Sequence, residues 1–180
     1  MGRPIVIVTG LSGAGKSTLI ARATAECGGA VRLKSVTTRP RRDDASDASY
    51  LFVTREEFRR LLEAGELAEH DDYNPQSPNL YGTPHAELER VGPGQVGVKD
   101  MTEPGLKQLL DSGRYRIRHV RIKPAGHALR SADRVEADEA RARLVPKADY
   151  EIINDHADPH GFAKALAAFV SLLRHFAADP

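Results

Sequence analysis

The segment from Gly10 to Ser17 combines glycines, a lysine and a serine at a spacing that suits polyphosphate binding. Its glycines let the backbone curl so that several N–H groups point at one anion, and the dipole of a following helix adds positive potential. Lys16 would bridge the terminal phosphates. Ser17 would be the metal ligand, because its hydroxyl can bind Mg²⁺. The predicted nucleotide-binding residues are Gly10, Ser12, Gly13, Ala14, Gly15, Lys16, Ser17 and Thr18.

A second group of phosphate-binding side chains follows about twenty residues later. Arg39, Arg41 and Arg42 cluster in a chain whose 26 basic and 25 acidic residues give a net charge of only +1. A chain that is neutral overall does not coat nucleic acid through bulk charge, so anions must be bound locally. We therefore expect small phosphate-bearing molecules as partners, and no nucleic acid.

The elements that would position these residues alternate between strands and helices. Ile5 to Thr9 is a continuous aliphatic run, typical of a strand buried on both faces, and Lys16 to Glu26 has helical spacing. Further strands are predicted over 31–37, 50–53, 95–100, 116–122 and 150–153, and further helices over 55–65, 83–90, 105–111 and 136–144 and from residue 158 onward. This alternation predicts an α/β protein with a three-layer P-loop NTPase fold and a mainly parallel sheet.

Length and cysteine content bound the organisation. A chain of 180 residues fits one domain, and a single cysteine, Cys27, cannot form a disulfide within the chain. No charged-then-apolar leader opens the sequence, and the aliphatic run from Ile5 to Val8 is far shorter than a membrane span of about 20 residues. These features predict a cytoplasmic protein without a membrane segment.

Four ordered segments after the glycine loop resemble the guanylate kinase family. They are Ser35-Val36-Thr37-Thr38-Arg39-Pro40-Arg41-Arg42, Tyr50-Leu51-Phe52-Val53-Thr54, Glu66-Leu67-Ala68-Glu69 and Tyr81-Gly82-Thr83-Pro84. The resemblance implies transfer of the γ-phosphoryl group of ATP to GMP, giving ADP and GDP, with Mg²⁺ bound to ATP. It also implies one domain over 1–180 with a core of about 1–33 and 84–180, a small acceptor-binding subdomain of about 34–83 and a lid of about 127–145.

The resemblance further implies roles for individual residues. The GMP-binding set would be Ser35, Arg39, Arg42, Tyr50, Glu69, Tyr81, Thr83 and Asp100. Ser35 would lie beside the phosphate-binding arginines and tyrosines, and Thr83 would donate to guanine O6. Glu69 is the key residue for base selection, because a carboxylate accepts from the N1–H and 2-amino groups of guanine, whereas adenine presents a lone pair at N1. Asn154 would touch the adenine of ATP. Lys16 and Arg39 would supply positive charge for catalysis, together with arginines of the lid. The lid candidates are Arg130, Arg134, Arg141 and Arg143, of which we choose Arg134 and Arg143.

Three departures from the family pattern leave alternatives open. The stretch from Arg143 to Tyr150 is shorter than usual, the loop between Glu69 and Thr83 is longer, and Val98 stands where a second acidic residue is common. One alternative is a kinase for another nucleotide or a phosphosugar. Another is a non-catalytic binding module, although the complete glycine loop favours a kinase. A monomer and a homodimer are both compatible with the sequence.

Overall fold

The computed structural model describes residues 4–71, 78–125, 140–155 and 157–178, without the side chains of residues 45, 46 and 71. The strands are β1 Pro4–Gly10, β2 Ala30–Arg32, β3 Ser35–Thr37, β4 Tyr50–Phe52, β5 Leu67–Asp71, β6 Tyr81–Pro84, β7 Val96–Asp100, β8 Arg116–Pro124 and β9 Tyr150–Asn154. The helices are α1 Lys16–Glu26, α2 Arg55–Glu63, α3 His85–Glu89, α4 Glu103–Ser112 and α5 Pro159–Ala178.

Five strands form a parallel sheet in the order β2-β7-β1-β8-β9. The predicted α/β class and the mainly parallel sheet are confirmed. In such a sheet all carboxyl ends lie at one edge, where ligands bind. Val8 of β1 is paired with Asp100 of β7, so the glycine loop that follows β1 begins beside that carboxylate.

Side chains of β1 alternate between two cores, one on each face of the sheet. Val6 and Val8 lie in a cluster with residues of α1 and α5, whereas Ile5 and Ile7 lie in a second cluster with residues of α3 and α4. The layers are therefore helix, sheet and helix, as predicted. Helix α5 is long and apolar enough by composition to cross a membrane, but its inner face, including Phe169, is part of the first core.

A smaller sheet has the order β4-β3-β6-β5, with β3 and β4 parallel and the other pairs antiparallel. The prediction of one strand over 31–37 is wrong. The chain forms β2 in the large sheet, leaves it at Lys34, whose N–H donates to the Glu87 carboxylate, and forms β3 in the small sheet. The apolar alternation of Val31 and Leu33 changes phase at this crossing, because the next aliphatic residue is Val36.

One predicted helix starts later than expected, and another lies mostly outside the described residues. The helix predicted from Thr83 starts at His85, because Thr83 and Pro84 are extended in β6, with Pro84 at φ −64° and ψ 143°. Most of the helix predicted over 136–144, together with most of the predicted lid, lies outside the described residues.

Candidate active site

The glycine loop joins β1 to α1 with a backbone that side chains would obstruct. Gly10 has φ 135°, and a Cβ there would lie 2.2 Å from the carbonyl oxygen of Ile122. Gly15 has φ 75° and is the N-cap of α1, so the helix begins at Lys16. The N–H groups of a first helical turn have no partner within their helix, which makes this end an anion site.

The side chains of the loop face two directions. The Lys16 ammonium donates to the carbonyl oxygens of Gly10 at 2.6 Å and Leu11 at 2.9 Å, so it arches over the loop. Ser12, Ser17 and Thr18 are exposed, whereas Ala14 is fully buried. The loop therefore presents hydroxyls and a cation on its outer side and is anchored to the core on its inner side.

The small sheet carries a row of polar side chains across its four strands. The pairs in register are Ser35 with Tyr50, Val36 with Gly82, Thr37 with Tyr81, and Glu69 with Thr83. Continuing the β3–β6 register by one residue places Ser35 level with Thr83. The row is therefore Tyr50, Ser35, Thr83 and Glu69, one residue from each strand, and it spans about 14 Å at a strand spacing of about 4.8 Å.

At one end of this row, Glu69 is a buried carboxylate, with 4% of its surface exposed. It accepts a hydrogen bond from the Thr83 hydroxyl. Helix α4 approaches so closely that a Cβ on Gly105 would lie 2.7 Å from the outer carboxylate oxygen, Oε2. Glu69 is thus held in place by a neighbouring strand and by a helix. A side chain that selects a ligand by its hydrogen-bond donors must be fixed in this way.

At the other end, Arg39 is 5% exposed and forms an ion pair of 2.7 Å with Asp47. Its guanidinium lies over the rings of Tyr50 and Phe52, at 5.0 and 5.3 Å from their centroids. Burial opposes the charge of Arg39, but the hydrogen bond and the charge of Asp47 outweigh it and raise the pKa of Arg39. Tyr81 packs against Tyr50 with its ring centroid at 6.0 Å.

Asp100 connects the two parts of the site. The Ser17 hydroxyl lies 3.5 Å from the Asp100 carboxylate, on the side of the glycine loop. On the other side, burial and then the charge of Asp100 raise the pKa of the Tyr50 phenol, which keeps that hydroxyl protonated as a donor. The loop and the polar row therefore both meet the carboxyl end of β7, the loop at Asp100 and the row at Lys99, which donates to Ser35.

Comparison with known proteins identifies the family of this chain. The sequence model of the guanylate kinase family matches residues 1–149. A guanylate kinase of Symbiobacterium thermophilum is 33% identical over 84% of this chain and 77% of its own, and one of Thermosynechococcus vestitus is 29% identical over 92% and 93%. The crystal structure of guanylate kinase from Anaplasma phagocytophilum superposes with a TM-score of 0.70 at 25% identity, covering 99% of this chain and 87% of that one. The chain belongs to the guanylate kinase family. The predicted family, fold and class of enzyme are confirmed.

Three further arginines were predicted as site residues of this guanylate kinase family member, and the structure does not test their roles. Arg42 is exposed, and its backbone N–H donates to Asp47. Arg143 is exposed in a turn after residues 140–142, and Arg134 lies outside the described residues. Their roles stay predictions.

Asn154 lies beneath the glycine loop and has no exposed surface. Its amide nitrogen donates to the Ala14 carbonyl at 2.8 Å, and its Oδ1 is buried without a hydrogen-bond partner in the part of the chain that the structure describes. The structure thus shows Asn154 anchoring the loop from β9, and its predicted contact with adenine stays a prediction.

The residues beside the loop fit a magnesium ion carried by a nucleotide. Mg²⁺ prefers oxygen ligands and usually takes only one or two from the protein, the others being phosphate and water. The Ser17 hydroxyl and the Asp100 carboxylate are such oxygens and lie side by side. Among residues 4–71, 78–125, 140–155 and 157–178, no cluster of three or more acidic, histidine or cysteine side chains forms a dedicated metal cage.

Two residues of the site were missed by the sequence reasoning. Asp47 holds Arg39 and also accepts the backbone N–H groups of Arg42 and Asp43 at 3.0 and 3.1 Å. Lys99, in β7, is buried and donates to the Ser35 hydroxyl. Nothing in the sequence distinguishes Asp47 from the neighbouring acidic residues Asp43 and Asp44. Lys99 gave a signal, because it follows Val96 and Val98 within the strand predicted over 95–100, and a lysine is seldom buried in a sheet unless it has a partner.

Proposed function

We propose that this protein transfers the γ-phosphoryl group of ATP to GMP, producing ADP and GDP. The observation that carries the proposal is the polar row from Tyr50 to Glu69, which meets the same end of β7 as the glycine loop, through the neighbouring residues Lys99 and Asp100. Membership of the guanylate kinase family supports the same reaction. None of the observations favours a different acceptor or a non-catalytic module.

The base of GMP would lie at the Glu69 end of the row. The buried carboxylate accepts from the N1–H and 2-amino groups of guanine, and Thr83 lies beside it. Adenine offers a lone pair at N1, which a carboxylate repels. Leaving a buried charged acceptor unpaired costs upwards of about 1–3 kcal/mol, which corresponds to a selectivity of tenfold or more.

The phosphate of GMP would lie at the Tyr50 end. Two N–H groups of Arg39 bind Asp47 and the carbonyl of Pro40, and a guanidinium has five such donors. Its remaining donors can form a fork to phosphate oxygens, to which the hydroxyls of Tyr50 and Tyr81 add further donors. Arg42 completes this anion-binding set.

Phosphoryl transfer at this site needs alignment and charge rather than a general base. An oxygen of the GMP phosphate attacks the γ-phosphorus of ATP, the new O–P bond forms, and the bond from the γ-phosphorus to the β,γ-bridging oxygen breaks, leaving ADP. Lys16 and the loop N–H groups would stabilise the charge on the transferred group, and Arg39 would hold the attacking phosphate in line.

Ser17 and Asp100 would hold Mg²⁺ with the outer phosphates of ATP, and the ion would neutralise charge between those phosphates. Arg134 and Arg143, from a lid of about 127–145, would add positive charge when the lid closes. Asn154 would contact the adenine of ATP. We also propose the division into a core of about 1–33 and 84–180 and an acceptor-binding part of about 34–83.

The direct test is a coupled assay of ADP formation with ATP, Mg²⁺ and GMP. Rapid turnover with GMP, and much slower turnover with AMP, CMP and UMP, would support the proposal. Turnover with another monophosphate or a phosphosugar, and none with GMP, would show that GMP is not the acceptor. Failure to bind ATP in calorimetry would exclude any kinase.

A further inference from the structure

Lys99 is a buried cation within the large parallel sheet. It is 3% exposed, and its partner in register on β1, Ile7, is fully buried. Burial lowers the pKa of the Lys99 ammonium, whereas the charges of Glu69, Asp100 and Glu87 raise it, and burial prevails. A buried lysine is costly unless it is partnered, so its partners indicate what it does.

The hydrogen-bond partner of Lys99 is the Ser35 hydroxyl. An ammonium has donors and no acceptor, so in this bond the serine oxygen accepts. A hydroxyl has one proton of its own, and accepting from Lys99 leaves that proton to be donated to another group. Lys99 therefore fixes Ser35 as a donor and directs its proton away from β7.

Thr83, the neighbour of Ser35 in the polar row, is committed differently. Its hydroxyl donates to Glu69, and a carboxylate accepts only, so the Thr83 proton is already used. In guanine the atom next to N1–H is the carbonyl oxygen O6. With N1–H on Glu69, O6 needs a donor of its own, and Ser35, the next residue of the row after Thr83, is the nearest hydroxyl of the row whose proton is not already donated to Glu69.

We propose that Lys99 is a positioning residue for base recognition, which holds the Ser35 hydroxyl as the donor to the 6-oxo group of the acceptor nucleotide. The inference rests on the proposed function, since it assumes that Glu69 binds the N1–H edge of guanine. Ser35 was expected beside the acceptor phosphate from the family resemblance. The row places it between Tyr50 at the phosphate end and Thr83 at the base end, and its bond to Lys99 assigns its proton to the base.

The test compares GMP with 6-thio-GMP, which keeps N1–H, the 2-amino group and the phosphate but replaces O6 by sulfur, a weak acceptor. The quantity measured is the ratio of kcat/KM for GMP to kcat/KM for 6-thio-GMP. In Lys99→Met this ratio is expected to fall about tenfold, the size of one well-placed hydrogen bond, chiefly through a higher KM for GMP. Ser35→Ala is expected to produce the same fall, and the double variant no further fall, because both changes remove one bond.

Lys107→Met is the matched control, because Lys107 is a lysine of α4 that is 49% exposed and paired with Asp111 at the surface. It should leave the ratio unchanged. Thermal unfolding of each variant shows that it is folded, and Ser35→Ala tests the bond if Lys99→Met does not fold. A ratio that stays at the wild-type value in both variants, or additive falls in the double variant, overturns the proposal. Turnover of GMP by the wild type tests the proposed function separately from this ratio.

Discussion

Replacing Gly105 by alanine should impair GMP binding without unfolding the protein. The added Cβ would lie 2.7 Å from Oε2 of Glu69, and ordinary contacts begin at 3.4 Å, so the carboxylate must retreat by at least about 0.7 Å. A hydrogen bond to the base of about 2.9 Å would then lengthen to about 3.6 Å, beyond the range of a real bond. Gly105 lies within α4, where alanine is compatible with the backbone.

The expected magnitude follows from the kind of bond that is lost. Hydrogen bonds to a charged group contribute about 1.5–3 kcal/mol, so the Kd and KM for GMP should rise by roughly 10- to 100-fold. Alanine in place of glycine favours a helix by about 0.5–1 kcal/mol, which offsets the cost of moving one side chain. The melting temperature should therefore change little, while binding of the acceptor falls.

The assay measures the KM for GMP by ADP formation, the Kd by calorimetry and the melting temperature by circular dichroism. Gly28→Ala is the control, because a Cβ at Gly28 meets nothing within 4 Å. It should leave the KM for GMP unchanged. A Gly105→Ala protein that is folded and binds GMP as tightly as the wild type would falsify the assignment of Glu69 to the base.

Three further predictions address the nucleotide loop, the base and the phosphate. Lys16→Met should reduce kcat by at least about a hundredfold, since it removes charge stabilisation of the transferred group, while the Kd for GMP stays unchanged in calorimetry. Glu69→Gln should reduce the preference for GMP over AMP by tenfold or more in kcat/KM, and an unchanged preference would contradict the proposed role. Asp47→Asn should raise the KM for GMP and lower the melting temperature, because Arg39 loses its ion-pair partner. Burial raises the pKa of Asp47, but the bonds from Arg39, Arg42 and Asp43 outweigh it, so the folded pKa is lowered. The stabilisation by Asp47 is therefore present above the unfolded pKa of about 3.9 and lost as the pH falls through the folded pKa, and the melting temperatures of wild type and variant should converge at low pH.

The nucleotide half of the fold could be predicted from the sequence because its signals are local. A continuous aliphatic strand, a glycine loop and an amphipathic helix follow one another, and each constrains the next. The boundary at Lys34 was missed, although the apolar alternation of Val31 and Leu33 changes phase at Val36. The two short strands β2 and β3 belong to different sheets. What separates them is a hydrogen bond to Glu87, a residue 53 positions away.

In the acceptor site, the binding residues could be predicted from the sequence, but the residues that hold them in place could not. The sequence predicted Arg39 and Glu69 as binding groups, but their partners, Asp47 and Gly105, depend on the path of the chain between elements. No spacing rule connects Glu69 with a glycine in a helix that follows another strand. Sequence patterns thus identify the groups that would touch the ligand, whereas the groups that hold them emerge only from the fold.

The buried charges of the acceptor site are better explained by selectivity than by stability. Arg39 and Glu69 are each about 95% buried, and apolar residues of similar volume would often make such a site more stable. Each is instead fixed before any ligand arrives, Arg39 by Asp47 and Glu69 by Thr83. Fixed donors and acceptors cannot reorient to suit a wrong base, so a mismatched ligand leaves a buried group unpaired. Lys99 extends this arrangement by restricting the Ser35 hydroxyl, which could otherwise either donate or accept.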